Sequence, residues 1–408
     1  MALRIATDIG GTFTDLVAVD ERGKTVTFKS HTTPPNFEQG VIDVLGKSGL
    51  DPREAVDFIH GTTTIINALT ERTGAKTGLI TTRGFRDVLE IARCNRPDLF
   101  NLVFAKPRPF IPRYLRCEVD ERIDYTGAEV RPLDEESVRQ AVAYLVEQGV
   151  QAIAVCLVNS YANDEHELRV AKLARELAPG VAIAPSVEVT REWREYERTS
   201  TAALNAYVAP VASTYLDRLE SRLGEAGYAG KRYIMQSNGG TTTFKQARRT
   251  PINMVESGPV AGVYGAAILG EILGEKNVIA LDVGGTTAKC SLIDNGHVKV
   301  TSEYRIERTE SYAGYPIMAP VVDIVEIGNG GGSIAWVDEG GSLKVGPRSA
   351  GALPGPVAYG RGGTEPTTTD ASLVTGRLSP RNFDVEVDME AVRAAVKRVV
   401  GDAFNMNA

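Results

Sequence analysis

The sequence predicts an α/β protein built from two related domains. Two observations carry this. Apolar strand-like runs alternate with amphipathic helical runs through the first part of the chain, and a strand–Gly-Gly–strand segment near the N-terminus recurs far downstream. A chain of 408 residues exceeds one ordinary core, and 43% hydrophobic with 24% charged residues is normal globular usage.

Taken in order, residues 3–8 read as an apolar strand that Gly10-Gly11 breaks, with residues 15–20 resuming it as a hairpin partner. Residues 26–30 read as a third strand, and residues 57–60 as a short strand running into a helical stretch over 62–72. A strand over 76–81 and a helix over 84–91 follow. Residues 95–116 hold Pro97, Pro107, Pro109 and Pro112 among Phe100, Phe104, Phe110 and Tyr114, too aromatic for a solvated linker, so an ordered irregular loop is expected. Residues 134–148 form an amphipathic helix with Glu135 and Glu136 in its first turn, where the helix dipole favours anions. A strand over 151–157 and a helix over 164–176 complete the first domain, expected to span 1–190. The second, 191–408, opens on a long helix over 199–223, where Leu204, Tyr207, Val208, Val211, Tyr215 and Leu219 recur at helical spacing. Pro210 is expected to kink or split it. A strand over 232–235, a helix over 260–272 and a strand over 278–283 come next, then hairpins through 289–293 and 298–303. A glycine-rich irregular stretch spans 328–364, and an amphipathic helix over 387–400 ends the series.

The net charge of −7 argues against a nucleic-acid partner. Cys94, Cys117, Cys156 and Cys290 lie far apart with no CxxC pair, so free thiols in a reducing compartment are expected. His31, His60, His166 and His297 form no HxH or HExxH pattern, which excludes a conventional zinc-hydrolase site. No stretch reads as a signal peptide or a membrane span, and the expected location is the cytoplasm, with no membrane partner.

The recurring segment carries the chemistry. Asp8-Ile9-Gly10-Gly11-Thr12-Phe13-Thr14-Asp15 matches Asp282-Val283-Gly284-Gly285-Thr286-Thr287-Ala288-Lys289, each between two apolar strands. An Asp at a strand end suits hydrated Mg²⁺, which needs only one or two carboxylates. Paired glycines let the backbone approach phosphate oxygens, and threonine hydroxyls and amides donate to them. Lys289 would add a point charge. Neither turn is a Walker loop or a GxGxxG fingerprint. A single copy would read equally well as a tight hairpin; two copies in the same context point to an ATP site. Asp8 and Asp282 are thus the candidate metal-binding and catalytic carboxylates, and Gly10, Gly11, Thr12, Thr14, Asp15, Gly284, Gly285, Thr286, Thr287 and Lys289 the candidate nucleotide contacts.

With these turns the chain resembles the actin-like ATPase superfamily, and more closely the hydantoinase A/5-oxoprolinase family. The resemblance runs through DIGGTFTD, HGTTTIINAL, TTRGFRDVLEIARCNRPDLFNL, EYERTSTAALNAYVAP, ESGPVAG, DVGGTTAK and GRGGTEPTTTDA, over residues 3 to 378. It implies two actin-like (ribonuclease H-like) domains flanking a nucleotide cleft, with ATP and Mg²⁺ as cofactors. It further implies the A subunit of an oligomer that works with a hydantoinase B-type subunit. Two departures stand out. The family's Asp-Ile-His-Thr is here Asp323-Ile324-Val325-Glu326, which weakens any carry-over of metal or substrate chemistry at that place. Family A subunits also continue to a further Gly-Gly segment, so the second domain is expected to be incomplete and the adenine half of the cleft absent.

Other candidates each have a plainer reading. His60-Gly61-Thr62-Thr63-Thr64 joins a strand to a helix, where His60 and Thr62 would hold a substrate carbonyl or the transferred phosphate; alternatively Thr62 caps the helix and His60 is packed. Ser257-Gly258-Pro259 either caps a helix or brings Gly258 to the nucleotide. Gly330 and Gly331, within GNGGGS, are candidate nucleotide contacts. Glu188, Glu192, Glu195 and Glu197 are candidate nucleophile-orienting carboxylates or a solvated charge run, and Asp323 and Asp370 are metal candidates or turn residues. Arg93, Arg96 and Asp98 offer an anion contact or surface pairing.

The function expected from the resemblance is ATP-dependent opening of a cyclic amide (hydantoin, 5-oxoproline or lactam) by phosphorylation of the amide oxygen. One alternative is the nucleotide subunit of an ATP-dependent ketone carboxylase; another is a non-catalytic nucleotide clamp.

Overall fold

A computed structural model describes residues 3–10, 13–93, 98, 100–285, 287–309, 311–351, 353–383 and 386–408. The fold is mixed α/β and divides into two compact units. The first comprises Met1–Gly10, Thr14–Ala261 and Val300–Val322; the second comprises Gly11–Phe13, Gly262–Lys299 and Asp323–Ala408.

The first unit holds two sheets. In the larger, the strand order is Thr241–Thr243, Lys231–Met235, Ala55–Thr62, Leu3–Ile9, Phe13–Val19, Thr25–His31. Leu3–Ile9 alternates buried and outward residues, with Leu3, Ile5 and Ile9 in the core. It runs antiparallel to Phe13–Val19 and parallel to Ala55–Thr62. The helix Phe37–Ser48 was not anticipated. It buries Val41, Val44 and Leu45 and ends on Gly49 in the left-handed conformation at φ 66°. Its Gly40 has a packing reason: a Cβ there would lie 2.7 Å from the Thr14 hydroxyl.

The smaller sheet is all parallel, in the order Ala182–Pro185, Ala152–Cys156, Thr77–Thr82, Arg116–Val119. Its two inner strands are buried at every residue, as expected of a parallel sheet covered on both faces. Helices Glu135–Glu147 and Glu165–Leu177 flank it, the first capped by the Asp134 carboxylate accepting from the Glu136 amide.

A single helix, Glu195–Glu225, joins the two cores. Its N-terminal half places Tyr196, Ala202, Ala203 and Ala206 in the core of the smaller sheet, while Leu204, Tyr207, Val208, Leu216, Leu219 and Leu223 join the core of the larger. The helix therefore lies inside the first compact unit, whose longest segment runs from Thr14 to Ala261. Pro210 does not split it; the helix is continuous through that residue. Packing on both sides outweighs the lost backbone hydrogen bond. The expected helix over 84–91 is shorter, Val88–Ile91. In the Pro/aromatic segment, Phe110 packs against the core, but Phe100 is 89% exposed.

The second unit is built on the hairpin Val278–Val283/Ala288–Asp294, extended by His297–Val298 and Val325–Ile327. The glycine-rich stretch is more regular than expected: Ser333–Val337 and Leu343–Ser349 pair as a second hairpin. Val357, Ala358, Leu373, Val392 and Ala395 form a separate small core. On one face of the first of these sheets, register places Ile279, Leu281 and Val283 beside Leu292, Val325 and Ile327, all between 50% and 68% exposed. Among the described residues, no helix is long and apolar enough to cross a membrane.

Candidate functional site

In the first unit, Asp8 ends its strand directly opposite Asp15 on one side and Gly61 on the other. Two glycines wrap its carboxylate. A Cβ on Gly61 would come 2.6 Å from Asp8 Oδ1, and one on Gly258 would come 3.0 Å from the same atom. The two glycines themselves are close, at 3.7 Å from the Gly61 Cβ position to Gly258 Cα. Ser257 ties the arrangement together: its hydroxyl donates to the Thr62 carbonyl at 2.9 Å and accepts from the Thr62 amide at 3.3 Å. The Thr63 hydroxyl donates to the Ile9 carbonyl at 3.2 Å. Three separate segments, DIGG, HGTTT and ESGP, therefore converge on one carboxylate, with a glycine against it at two positions.

The other predicted members of this turn divide. The Gly10 carbonyl accepts from the Thr32 hydroxyl at 2.8 Å, which fixes the strand exit. Thr14 is fully buried, its hydroxyl 3.3 Å from that of Thr32 and under the helix Phe37–Ser48, so it packs rather than facing a ligand. Asp15 pairs with Lys29 at 3.2 Å on the surface of the hairpin, a cross-strand ion pair in place of a phosphate contact. Gly11 and Thr12 lie outside the described residues.

His60 corrects its expected role. The imidazole is fully buried, with Nδ1 2.7 Å from the Thr7 hydroxyl and Nε2 2.5 Å from the Tyr215 hydroxyl. Burial lowers its pKa to about 3, so it is neutral across the physiological range. With both nitrogens engaged it bridges strand and long helix, and it offers no free group to a substrate. Thr62 is also buried; its Oγ1 accepts from the Thr64 amide at 3.1 Å, which starts the helix Thr64–Thr70. The N-cap position itself is held by Thr63, which makes no side-chain capping bond.

In the second unit, Asp282 stands opposite Lys289 in the hairpin register, so both side chains lie on one side of the sheet. Asp282 is exposed. The turn is closed by the Gly284 amide donating to the Thr287 carbonyl at 2.9 Å. The GNGGGS segment braces it: the Gly331 amide donates to the Gly284 carbonyl at 2.9 Å, and the Gly332 amide to the Gly285 carbonyl at 2.6 Å. The Gly330 amide is taken by Ser333 Oγ at 2.9 Å. Gly330 and Gly331 therefore support the turn and have no amide left for a nucleotide, contrary to expectation. A Cβ on Gly332 would lie 2.9 Å from the Gly285 carbonyl, which explains the glycine run. Thr286 lies outside the described residues.

Asp370 is a structural residue. Its buried carboxylate accepts from the amides of Val357, Ala358 and Thr367 and closes a capping box with Thr367. Asp323 pairs with Lys299 at 2.7 Å. Among the described residues no group of three or more His, Cys, Asp or Glu could hold a metal. One carboxylate with phosphate and water ligands suffices for Mg²⁺, and at Gly61 and Gly258 no side chain takes up the space beside the Asp8 carboxylate. The glutamate run is mostly paired: Glu197 takes a bidentate contact from Arg93 at 2.7 and 2.8 Å, Glu195 binds Arg198, and Glu188 binds Arg175. Arg96 lies outside the described residues, while Asp98 is described.

Sequence reasoning did not single out Gly61, Gly332 or the bridging role of Ser257. Each lay inside a flagged motif, but the close approach that makes each necessary comes from a strand or loop distant in sequence.

Residues 4–178 match the family described as Hydantoinase/oxoprolinase N-terminal region, and residues 198–408 match Hydantoinase/oxoprolinase. The caprolactamase subunit alpha of Pseudomonas jessenii is 37% identical over 92% of this chain and 55% of its own length. The acetophenone carboxylase gamma subunit of Aromatoleum aromaticum is 37% identical over 92% of this chain and 53% of its own. The crystal structure of the ATP-dependent caprolactamase from Pseudomonas jessenii superposes with a TM-score of 0.81 at 35% identity, covering 99% of this chain and 60% of that one. The chain thus spans about half the length of these curated relatives.

Proposed function

The chain belongs to the hydantoinase/oxoprolinase family, and from that premise we propose that it is the nucleotide-binding part of an ATP-dependent enzyme that opens a cyclic amide. The observation that carries the nucleotide reading is the Asp8 carboxylate held between Gly61 and Gly258, where a Cβ would come within 2.6 and 3.0 Å of it. The relative named as a caprolactamase, and the likeness to the solved caprolactamase, favour a ring amide as the substrate class.

In this proposal the order of the larger sheet supports an actin-like (ribonuclease H-like) first domain, and the two Asp-x-Gly-Gly-Thr turns serve the same ATP. Bound Mg²⁺ would supply charge neutralisation at the phosphates. Asp8 and Asp282 would hold its water ligands, with Gly10, Gly11, Thr12, Gly284, Gly285, Thr286 and Thr287 lining the phosphates. The amide oxygen attacks the γ-phosphorus and ADP leaves. The O-phosphorylated imidate is far more electrophilic at carbon than the resonance-stabilised amide. Water adds there, the C–N bond breaks to leave a free amine and an acyl phosphate, and a second water hydrolyses the acyl phosphate to give the open-chain amino acid and phosphate. The protein's contribution is positioning and electrostatic stabilisation.

The relatives' names, subunit alpha and gamma subunit, support a multi-subunit enzyme, and we propose a hydantoinase B-type partner. The absence of the family's histidine at Val325 leaves the substrate class without a residue-level determinant. A ketone-carboxylase reading is supported by the equal identity to the acetophenone carboxylase subunit. Steady-state ATP turnover by the assembly purified from its native source separates them. Stimulation by a lactam or hydantoin supports the proposal. Stimulation only by a ketone with bicarbonate transfers the same phosphate site to carboxylation, and ATP binding with no small-molecule dependence leaves a clamp.

A further inference from the structure

Beside the edge strand Arg116–Val119 of the smaller sheet lies a cleft of about 440 Å³, bordered on its far side by the helix Glu135–Glu147. That volume falls within the roughly 300–1,000 Å³ of small-molecule sites. Four arginines, Arg83, Arg86, Arg113 and Arg116, line it with one carboxylate, Glu118, and three of the four are ion-paired to acids outside the lining, Asp120, Asp87 and Glu90.

Arg116 is the central group. Its side chain is 1% exposed; Nε donates to the Ile111 carbonyl at 2.9 Å and Nη2 to Glu90 at 3.1 Å. Its Nη1 is buried with no hydrogen-bond partner, and so is the Nε of Arg86. Both residues line the cleft, although these two nitrogens are themselves closed off from solvent. The remaining arginines are aimed by acids that do not line it: Asp120 holds Arg83 at 2.9 Å and Asp87 holds Arg113 at 2.8 Å. Glu118 is occupied by the amides of Gly84 and Arg86, at 2.8 and 3.3 Å, and so pins the loop that carries Arg83 and Arg86 to the strand. Tyr144, 38% exposed on the flanking helix, adds a flat wall and a hydroxyl donor.

We infer that this cleft is a binding site for a small, multiply charged oxyanion, a phosphate ester or a di- or tricarboxylate. Guanidinium forks pair with both groups through parallel N–H···O bonds. The site belongs to the smaller sheet, to which neither glycine turn contributes a strand, so it serves a ligand other than the phosphates those turns hold.

The test is calorimetric titration of the folded 408-residue chain with pyrophosphate and, separately, with citrate, on wild type and on Arg86→Gln, Arg83→Gln and Asp8→Asn. Tighter pyrophosphate binding identifies the phosphate-ester source and tighter citrate binding the polycarboxylate source. Arg86→Gln is expected to weaken the preferred anion about tenfold. Asp8→Asn is expected to leave that binding unchanged. Arg83→Gln serves as the second variant, because its side chain is 61% exposed and its loss does not threaten the fold. Absence of binding by either anion up to about 10 mM, or binding lost in Asp8→Asn and retained in both arginine variants, overturns the inference.

Discussion

Replacing Gly61 by alanine places a methyl group 2.6 Å from Asp8 Oδ1, whereas ordinary contact begins near 3.4 Å. The carboxylate, on a strand end paired on both sides, must retreat by about 0.8 Å, since Gly61 is itself in the register with Asp8. A misplacement of roughly 1 Å at a reacting centre costs on the order of 100-fold in rate, and overpacking costs about 1–3 kcal/mol in stability. Gly61→Ala is therefore expected to lower ATP turnover of the native assembly by roughly 30- to 100-fold. Gly258→Ala, where the contact is 3.0 Å, needs about half that retreat and is expected to cost roughly three- to tenfold. Gly46→Ala is the control: a Cβ there meets nothing within 4 Å, inside the helix Phe37–Ser48, so turnover is unchanged and stability rises by about 0.5–1 kcal/mol. Turnover is read by steady-state assay and stability by urea unfolding. Wild-type turnover in Gly61→Ala, or a larger loss in Gly258→Ala than in Gly61→Ala, refutes the cradle as the determinant of the Asp8 position.

Ser257→Ala removes the bridge to the Thr62 carbonyl and amide and is expected to destabilise by about 1–3 kcal/mol, read from urea midpoints. Asp370→Ala strips the acceptor from three backbone amides in the second unit and is expected to cost on the order of 3 kcal/mol or more; a loss below about 1 kcal/mol would show that the cap is dispensable. His60 gives a pH signature. Its folded pKa, about 3, lies below the ordinary 6.5, so the unfolded chain takes up the proton first. The associated stability is complete above pH 6.5 and declines by about 1.4 kcal/mol per pH unit as pH falls from 6.5 toward 3. His60→Gln is expected to flatten that slope between pH 6 and 4 in paired melts; an unchanged slope would mean that the imidazole does not carry it.

The two glycine turns were legible in the sequence because each joins two apolar strands, and both are antiparallel hairpins with the Asp at the end of the first strand. The strands and helices of the smaller sheet were legible for the same reason, as strong local periodicity. What escaped was set by distant contacts. The helix Phe37–Ser48 carries Gly40 and Gly46, residues that weaken a helix by themselves, and the approach of Thr14 accounts for the first. His60 looked functional beside a threonine-rich turn, but its environment comes from Thr7 on one strand and Tyr215 on the long helix. That the two halves of the long helix serve two cores is something a single periodic stripe does not reveal. Gly330 and Gly331 looked like nucleotide donors, yet the structure uses their amides to brace the second turn and its neighbouring loop.

The most direct test of the phosphate-site account is ATP turnover by the native assembly carrying Asp8→Asn or Asp282→Asn, each variant first shown to melt like wild type. Loss of the single carboxylate in either turn is expected to cut turnover by about 100-fold or more while folding is unchanged. Turnover at the wild-type rate in both variants would contradict it.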